Sequence, residues 1–102
     1  MGTPAQSLTK AVRDLLHSYR WVTFKCGAGM VKSDRRMVVF GTAGAPDIVA
    51  IKGQRYLLLE IKAGQDRQSP SQIAFQAEVD RVFGNYAIVR SVDDALQLIQ
   101  SE

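Results

Sequence analysis

Between Gly44 and Gly64 the chain reads G-A-P-D-I-V-A-I-K-G-Q-R-Y-L-L-L-E-I-K-A-G, two apolar runs flanking Lys52-Gly53-Gln54-Arg55. No other stretch narrows the fold as much. Glycine at the first central position of a two-residue loop is the type II′ hairpin signal, and a turn of fixed length sets the register of both strands. With Gly53 and Gln54 as loop residues, Lys52 pairs with Arg55, Ile51 with Tyr56 and Val49 with Leu58; counting outward, Asp47 lands opposite Glu60. Cross-strand Cβ atoms lie roughly 4.5 to 5.5 Å apart, and residues two apart on a strand share a face, so Lys62 joins the two acids. The opposite face, Ile48, Ala50, Leu57, Leu59 and Ile61, is wholly apolar. Facing carboxylates repel unless a cation sits between them. Lys62 is one candidate, which would make the group an ion triad. A hard divalent cation is the other, since Mg²⁺ is commonly held by one or two carboxylates with waters and phosphate oxygens.

Composition excludes several classes. The chain has 102 residues, long enough for one domain to bury a core without staples, and its 46% hydrophobic and 23% charged shares are those of an ordinary globular protein. Apolar runs such as Val38 to Phe40 and Tyr56 to Leu59 are too short to cross a membrane, and no apolar secretory segment opens the chain, so a cytoplasmic, bacterial or phage protein is expected. A single cysteine, Cys26, permits no internal disulfide, and with one histidine it argues against zinc.

The net charge of +3 is unevenly spread. Residues 1–46 carry Lys10, Arg13, Arg20, Lys25, Lys32, Arg35 and Arg36 against Asp14 and Asp34, a net charge of +5; residues 47–102 carry −2. Basic residues ahead of a carboxylate hairpin suit a polyanionic partner, for which Lys and Arg supply the sequence-independent affinity. Lys32, Arg35 and Arg36 are the expected phosphate contacts.

Leu8, Ala11, Val12, Leu15, Leu16 and Tyr19 recur at helical spacing, predicting an amphipathic helix capped by Ser7, with Lys10, Arg13, Asp14 and His17 on its exposed side. Trp21 to Lys25 has strand character, broken by Cys26-Gly27-Ala28-Gly29. Met30 to Arg36 is expected as a polar connector to a second strand-like run, Met37 to Phe40. The loop Gly41-Thr42-Ala43-Gly44 is either a plain turn or a place where backbone approaches a phosphate closely. Ser69-Pro70 reads as N-cap and first residue of a helix running to about Phe83 and stopped by Gly84, with Gln72 in its first turn. Asn85 to Arg90 is a further strand, and Ser91-Val92-Asp93-Asp94 caps a last helix with Ala95, Leu96, Leu98 and Ile99 turned to the core. The order is helix, strand, strand, hairpin, helix, strand, helix: an α/β sandwich of two or three layers around one mixed sheet.

Pro46-Asp47 and Glu60-Ile61-Lys62 resemble the signature of the PD-(D/E)XK nuclease superfamily. Gly44-Ala45-Pro46-Asp47, the short hairpin, Leu59-Glu60-Ile61-Lys62, the Gln72 helix, Gly84 and the strand ending in Ser-Val-Asp-Asp resemble more specifically the VRR-NUC domain, a virus-type replication-repair nuclease, over nearly the whole chain. The resemblance implies a single VRR-NUC-type domain over residues 1–102, with a restriction-endonuclease-like core whose central mixed sheet is flanked by helices. It implies Mg²⁺ or Mn²⁺ bound by Asp47, Glu60 and the Ile61 carbonyl. Lys62 would orient or help deprotonate the attacking water, and Gln72 would position a motif residue or the substrate. Such a cation polarises the scissile phosphate and acidifies a water for in-line attack. Resemblance to stand-alone domains of this family further implies a homodimer acting on branched DNA, as Holliday-junction resolvases do. One departure stands out: members often carry a glutamate in the first helix, whereas Pro4-Ala5-Gln6-Ser7-Leu8-Thr9 has no acid before Asp14. Gln6 is the residue placed to stand in for it, which bears on a second metal and leaves Asp47, Glu60 and Lys62 intact.

The function expected is metal-dependent DNA endonuclease. Two alternatives stay open on the sequence: a non-catalytic DNA-binding or nuclease-subunit domain, and a structural module whose triad is an internal salt bridge.

Overall fold

The hairpin at Gly53 forms in the expected register. Strands β4 (Ile48–Lys52) and β5 (Arg55–Ile61) pair antiparallel, Lys52 with Arg55, Ile51 with Tyr56 and Val49 with Leu58. Gly53 has φ +60° while Gln54 is not among the positive-φ residues, as a type II′ turn requires. The computed structural model describes residues 2–26, 29–33 and 36–100, the segments 29–33 and 36–40 by their backbone alone.

Around the hairpin a four-stranded sheet is assembled in the order β1-β4-β5-β6. Strand β1 (Val22–Lys25) is antiparallel to β4, and β6 (Tyr86–Val89) is parallel to β5, so the sheet is mixed. A parallel pair needs a crossover, and helix α2 (Pro70–Arg81) supplies it. One element was not expected. Residues 30–33, expected as part of a connector running to Arg36, are strand instead: β2 (Gly29–Ser33) pairs antiparallel with β3 (Arg36–Phe40) in a separate two-stranded sheet. Val31 stands opposite Val38, and the Lys-Ser and Arg residues at the ends of the two short runs hide their strand character in the sequence.

Helix α1 (Pro4–Ser18) begins earlier than its apolar stripe suggests. Its N-cap is Thr3, not Ser7. Thr3 Oγ1 accepts from Gln6 N–H at 3.1 Å, Gln6 Oε1 accepts from Thr3 N–H at 2.9 Å, and Pro4 takes the first helical position: a capping box with proline at N1, which outweighs the serine four residues on. Val12 and Leu16 of α1 are fully buried among Trp21, Ile48, Ala50, Leu57, Leu59, Ile61, Val89 and Ala95, the last from α3 (Val92–Gln100). Helices α1 and α3 therefore cover the apolar face of the hairpin, and each fully buried Leu or Ile there contributes about 1.5–3 kcal/mol.

The other face carries α2, whose Phe75 meets Tyr86 of β6 at a ring separation of 6.3 Å. This makes three layers. Because α2 reaches only the β6 side of the sheet, no α2 residue is fully buried, and Val22, Phe24, Ile51 and Tyr56 on the same sheet face stay exposed. The helix ends at Arg81, with Phe83 at φ +60° and Gly84 N–H closing onto the Val79 carbonyl at 2.9 Å. Among the described residues no helix is long and apolar enough to cross a membrane.

Candidate active site

The β4–β5 ladder ends at the Ile48–Leu59 pair, and just beyond it Asp47 is fixed from three directions. Its N–H donates to the Leu59 carbonyl and its carbonyl accepts from Cys26 N–H, both at 2.9 Å. Its carboxylate takes the place of a ladder carbonyl: Oδ2 accepts from Ile61 N–H at 2.7 Å. One oxygen is thereby anchored, and among the described residues no hydrogen bond reaches Oδ1. The approach to Asp47 is set by Gly44 and the buried Pro46. Gly44 lies at φ +80°, and a Cβ there would sit 2.1 Å from the Ser71 carbonyl oxygen. The close approach of this glycine loop is thus to the first turn of α2, which clamps Asp47 beside the start of that helix.

Glu60, one place further along β5, is 0% exposed. Tyr86 Oη donates a hydrogen bond to its Oε1, while its Oε2 is buried with no partner. Burial, then the hydrogen bond to Glu60 and its charge, with a smaller effect of Asp47, push the Tyr86 hydroxyl above its usual range, against an opposing hydrogen bond from Gln68. Tyr86 therefore remains a proton donor to Glu60 at neutral pH. An unpaired buried carboxylate oxygen is a costly feature, about 1–3 kcal/mol or more for a charged group.

Lys62 does not relieve it. The residue is half-buried, with its N–H on the Val89 carbonyl at 3.0 Å. Among the described residues the ion pair formed is Lys10–Asp14, and Lys62 pairs with neither Asp47 nor Glu60. The closed ion triad is absent from the folded chain. Nor do three or more His, Cys, Asp or Glu side chains gather anywhere among the described residues. The side-chain donors on offer are the Asp47 and Glu60 carboxylates, all oxygen, which suit a Mg²⁺-like ion keeping several waters and not zinc. The orphaned Glu60 Oε2 and the open Asp47 Oδ1 fit such an ion.

Gln72 is the third residue of α2 and completes its capping box: its Oε1 accepts from Ser69 N–H at 2.8 Å and its N–H donates to Ser69 Oγ at 3.2 Å. It lines a cleft of about 430 Å³ with Lys25, Gly44, Asp47, Ser69 and Ser71. Gln6 is spent on the α1 cap and lines a neighbouring cleft. Arg35 and the side chains of Lys32 and Arg36 lie outside the described residues. Two residues escaped the sequence reading. Tyr86 reaches Glu60 only through the parallel β5–β6 pairing, which no local pattern announces, and Lys25 enters the cleft because β1 joins the hairpin at β4.

No family model and no curated protein matches the sequence. Among solved structures, one described as "VRR_NUC domain" superposes with a TM-score of 0.72 over 97% of this chain and 97% of its own, at 18% sequence identity. The chain has the VRR_NUC fold. The resemblance carried by Asp47, Glu60 and Lys62 is matched at the level of architecture, a four-stranded mixed sheet between helices. At this identity the VRR_NUC likeness speaks for the fold, and side-chain roles rest on the geometry above.

Proposed function

We propose that this chain is a DNA endonuclease dependent on Mg²⁺ or Mn²⁺, acting as a single domain over residues 1–102. The observation that carries the reading is Glu60: a fully buried carboxylate with one oxygen held by Tyr86 and the other bare, next to Asp47 and unmatched by Lys62. Asp47 Oδ1, Glu60 Oε2 and the Ile61 carbonyl would hold the ion. When bound, it offsets charge on the scissile phosphate and acidifies the attacking water. The protein's own part is positional. Ile61 N–H and Tyr86 Oη fix the two carboxylates before any ligand arrives, so that little reorganisation is needed. Lys62, without an ion-pair partner among the described residues, orients the attacking water and adds a point charge at the phosphate. The Gln72 side chain, holding the Ser69 cap, shapes the far wall of the cleft.

The substrate we propose is branched or four-way-junction DNA, in replication, repair or recombination, with a homodimer bringing two sites to one junction. A chain of 11.3 kDa has little surface with which to grip four arms, and the exposed Val22, Phe24, Ile51 and Tyr56 give a second copy an apolar face to cover. A cytoplasmic location in a bacterium or phage-infected cell accompanies this reading. The test is cleavage of labelled linear duplex, single strand, flap and four-way junction with Mg²⁺ or Mn²⁺, wild type beside Lys62→Ala. Symmetric cuts in the junction, lost in the variant, support it. A junction that is bound and never cut under either metal refutes the catalytic assignment.

A further inference from the structure

A second cleft, of about 260 Å³, lies between α1 and β1 on the other side of Lys25. Lys10, Arg13 and His17 line it from α1, at spacings that place them along one side of the helix, and Lys25 lines it from β1. Thr23 braces the arrangement from the strand: its Oγ1 accepts from Arg13 Nε at 3.1 Å and lies 2.6 Å from His17 Nε2. Arg13 is thereby held by one edge, and among the described residues its two terminal nitrogens have no partner. The one acid in the lining, Asp14, is tied to Lys10 at 2.7 Å; that hydrogen bond, with the charges of Lys10, His17 and Arg13, lowers its pKa below the usual carboxylate value. Among the described residues Arg13 and Lys25 remain as cations with no ion-pair partner. Lys25 also lines the 430 Å³ cleft that holds Asp47, so the two clefts share a wall. A chain of anions crossing the carboxylate site would run directly onto these cations.

We infer that the α1–β1 cleft binds the sugar-phosphate backbone of the DNA strand next to the cleavage site, Arg13 and Lys25 each neutralising one phosphate. This rests on the nuclease reading for the identity of the polyanion. The contact carries no sequence information and sets the register of the strand on the protein. Arg13 suits the role through its planar fork of five N–H donors, four of which, on the two terminal nitrogens, stay available once Nε is committed to Thr23.

The experiment is fluorescence-anisotropy binding of a labelled four-way junction in EDTA, so that nothing is cut, across about 50 to 200 mM salt. The plot of log affinity against log salt becomes less steep by about 0.9 for each phosphate that the protein no longer neutralises. Lys25→Gln, an exposed side chain whose loss leaves the fold alone, is expected to flatten the slope by about 0.9, and Arg13→Gln with Lys25→Gln by about twice that, with binding about tenfold weaker. A control pair removing the same charge elsewhere, Lys52→Gln with Arg81→Gln, is expected to leave the slope near that of wild type. Equal slopes for wild type and the Arg13/Lys25 variant, or equal flattening by the control pair, overturn the inference. Cleavage with Mg²⁺ is scored separately on wild type. Wild type that cuts while the Arg13/Lys25 slope is unchanged refutes the cleft alone; wild type that binds through Arg13 and Lys25 yet never cuts refutes the nuclease reading and leaves the cleft standing. Wild type that binds no DNA refutes both.

Discussion

Asp47 performs two tasks that substitution can separate. Its Oδ2 satisfies Ile61 N–H, a structural duty, while the residue lines the cleft and its Oδ1 takes no hydrogen bond among the described residues. Asp47→Asn keeps an acceptor for Ile61 and is expected to unfold within about 1 kcal/mol of wild type, whereas Asp47→Ala strands that N–H and is expected to lose about 1–3 kcal/mol. Both variants are expected to lose Mn²⁺ binding by calorimetry, and an Asn variant that binds Mn²⁺ as wild type does would remove Asp47 from the ligand set. Tyr86 gives a second test at this scale. Its pKa is raised in the fold, so between the unfolded value near 10 and the folded value only the native state keeps the proton, and stability falls as pH rises through that window. Phenolate absorbance in the metal-free protein is expected to show a component titrating later than free tyrosine, gone in Tyr86→Phe. The two residues also differ in how far sequence could reach them. Asp47 and Glu60 can be paired by counting outward from a two-residue turn. Tyr86 lies on a strand reached by a helical crossover, and nothing near it in the chain says which strand it will join.

Among the elements, the first turn of α2 and the loop entering β4 hold the cleft open between them, and they touch through Gly44. A Cβ at Gly44 would meet the Ser71 carbonyl at 2.1 Å while also being strained by φ +80°; at Gly53, φ +60°, it would meet nothing within 4 Å. Gly53→Ala is therefore expected to cost about 1–2 kcal/mol from backbone strain alone, and Gly44→Ala more, with a melting temperature lowered by about 4–8 °C for each kcal/mol and Asp47 displaced from the cleft. Equal losses at the two glycines would mean that the Gly44–Ser71 approach is not a constraint. The α2 start was legible because Ser69, Pro70 and Gln72 together spell a capping box with proline at N1. The same signal, Thr3, Pro4 and Gln6, opens α1, but the apolar stripe begins only at Leu8 and drew the boundary to Ser7. Strand β2 was hidden for a related reason: its apolar core is Met30-Val31, too short a run to stand out beside Lys32 and Ser33.

At the scale of the whole molecule, the sheet is apolar towards α1 and α3 and carries its chemistry at the other face and at the strand ends. Part of the charge excess of residues 1–46 gathers at one strand end, where β1 brings Lys25 into the cleft of Asp47 and α1 sets Arg13 in the neighbouring cleft that Lys25 also lines. On the outer face the exposed row Val22, Ile51 and Tyr56, with Phe24 beside it, is the surface we assign to a second copy, and light scattering at micromolar concentration is expected to give about twice the 11.3 kDa chain mass. Phe24→Asp is expected to return it to the monomer mass, and a wild-type monomer would remove the dimer. The bare oxygen of Glu60 is where fold and function meet, since a structural salt bridge and a cation site make opposite demands on it. The deciding measurement is thermal unfolding of wild type and Glu60→Gln, each with and without Mn²⁺. In the cation-site reading the metal-free variant is at least as stable as wild type, while Mn²⁺ at about a hundred times its dissociation constant adds about 2.7 kcal/mol, a rise on the order of 10 °C, to wild type and nothing to the variant. A metal-free variant weaker by the roughly 3–5 kcal/mol that breaking a buried ion pair costs, or an equal Mn²⁺ shift in both proteins, would contradict it.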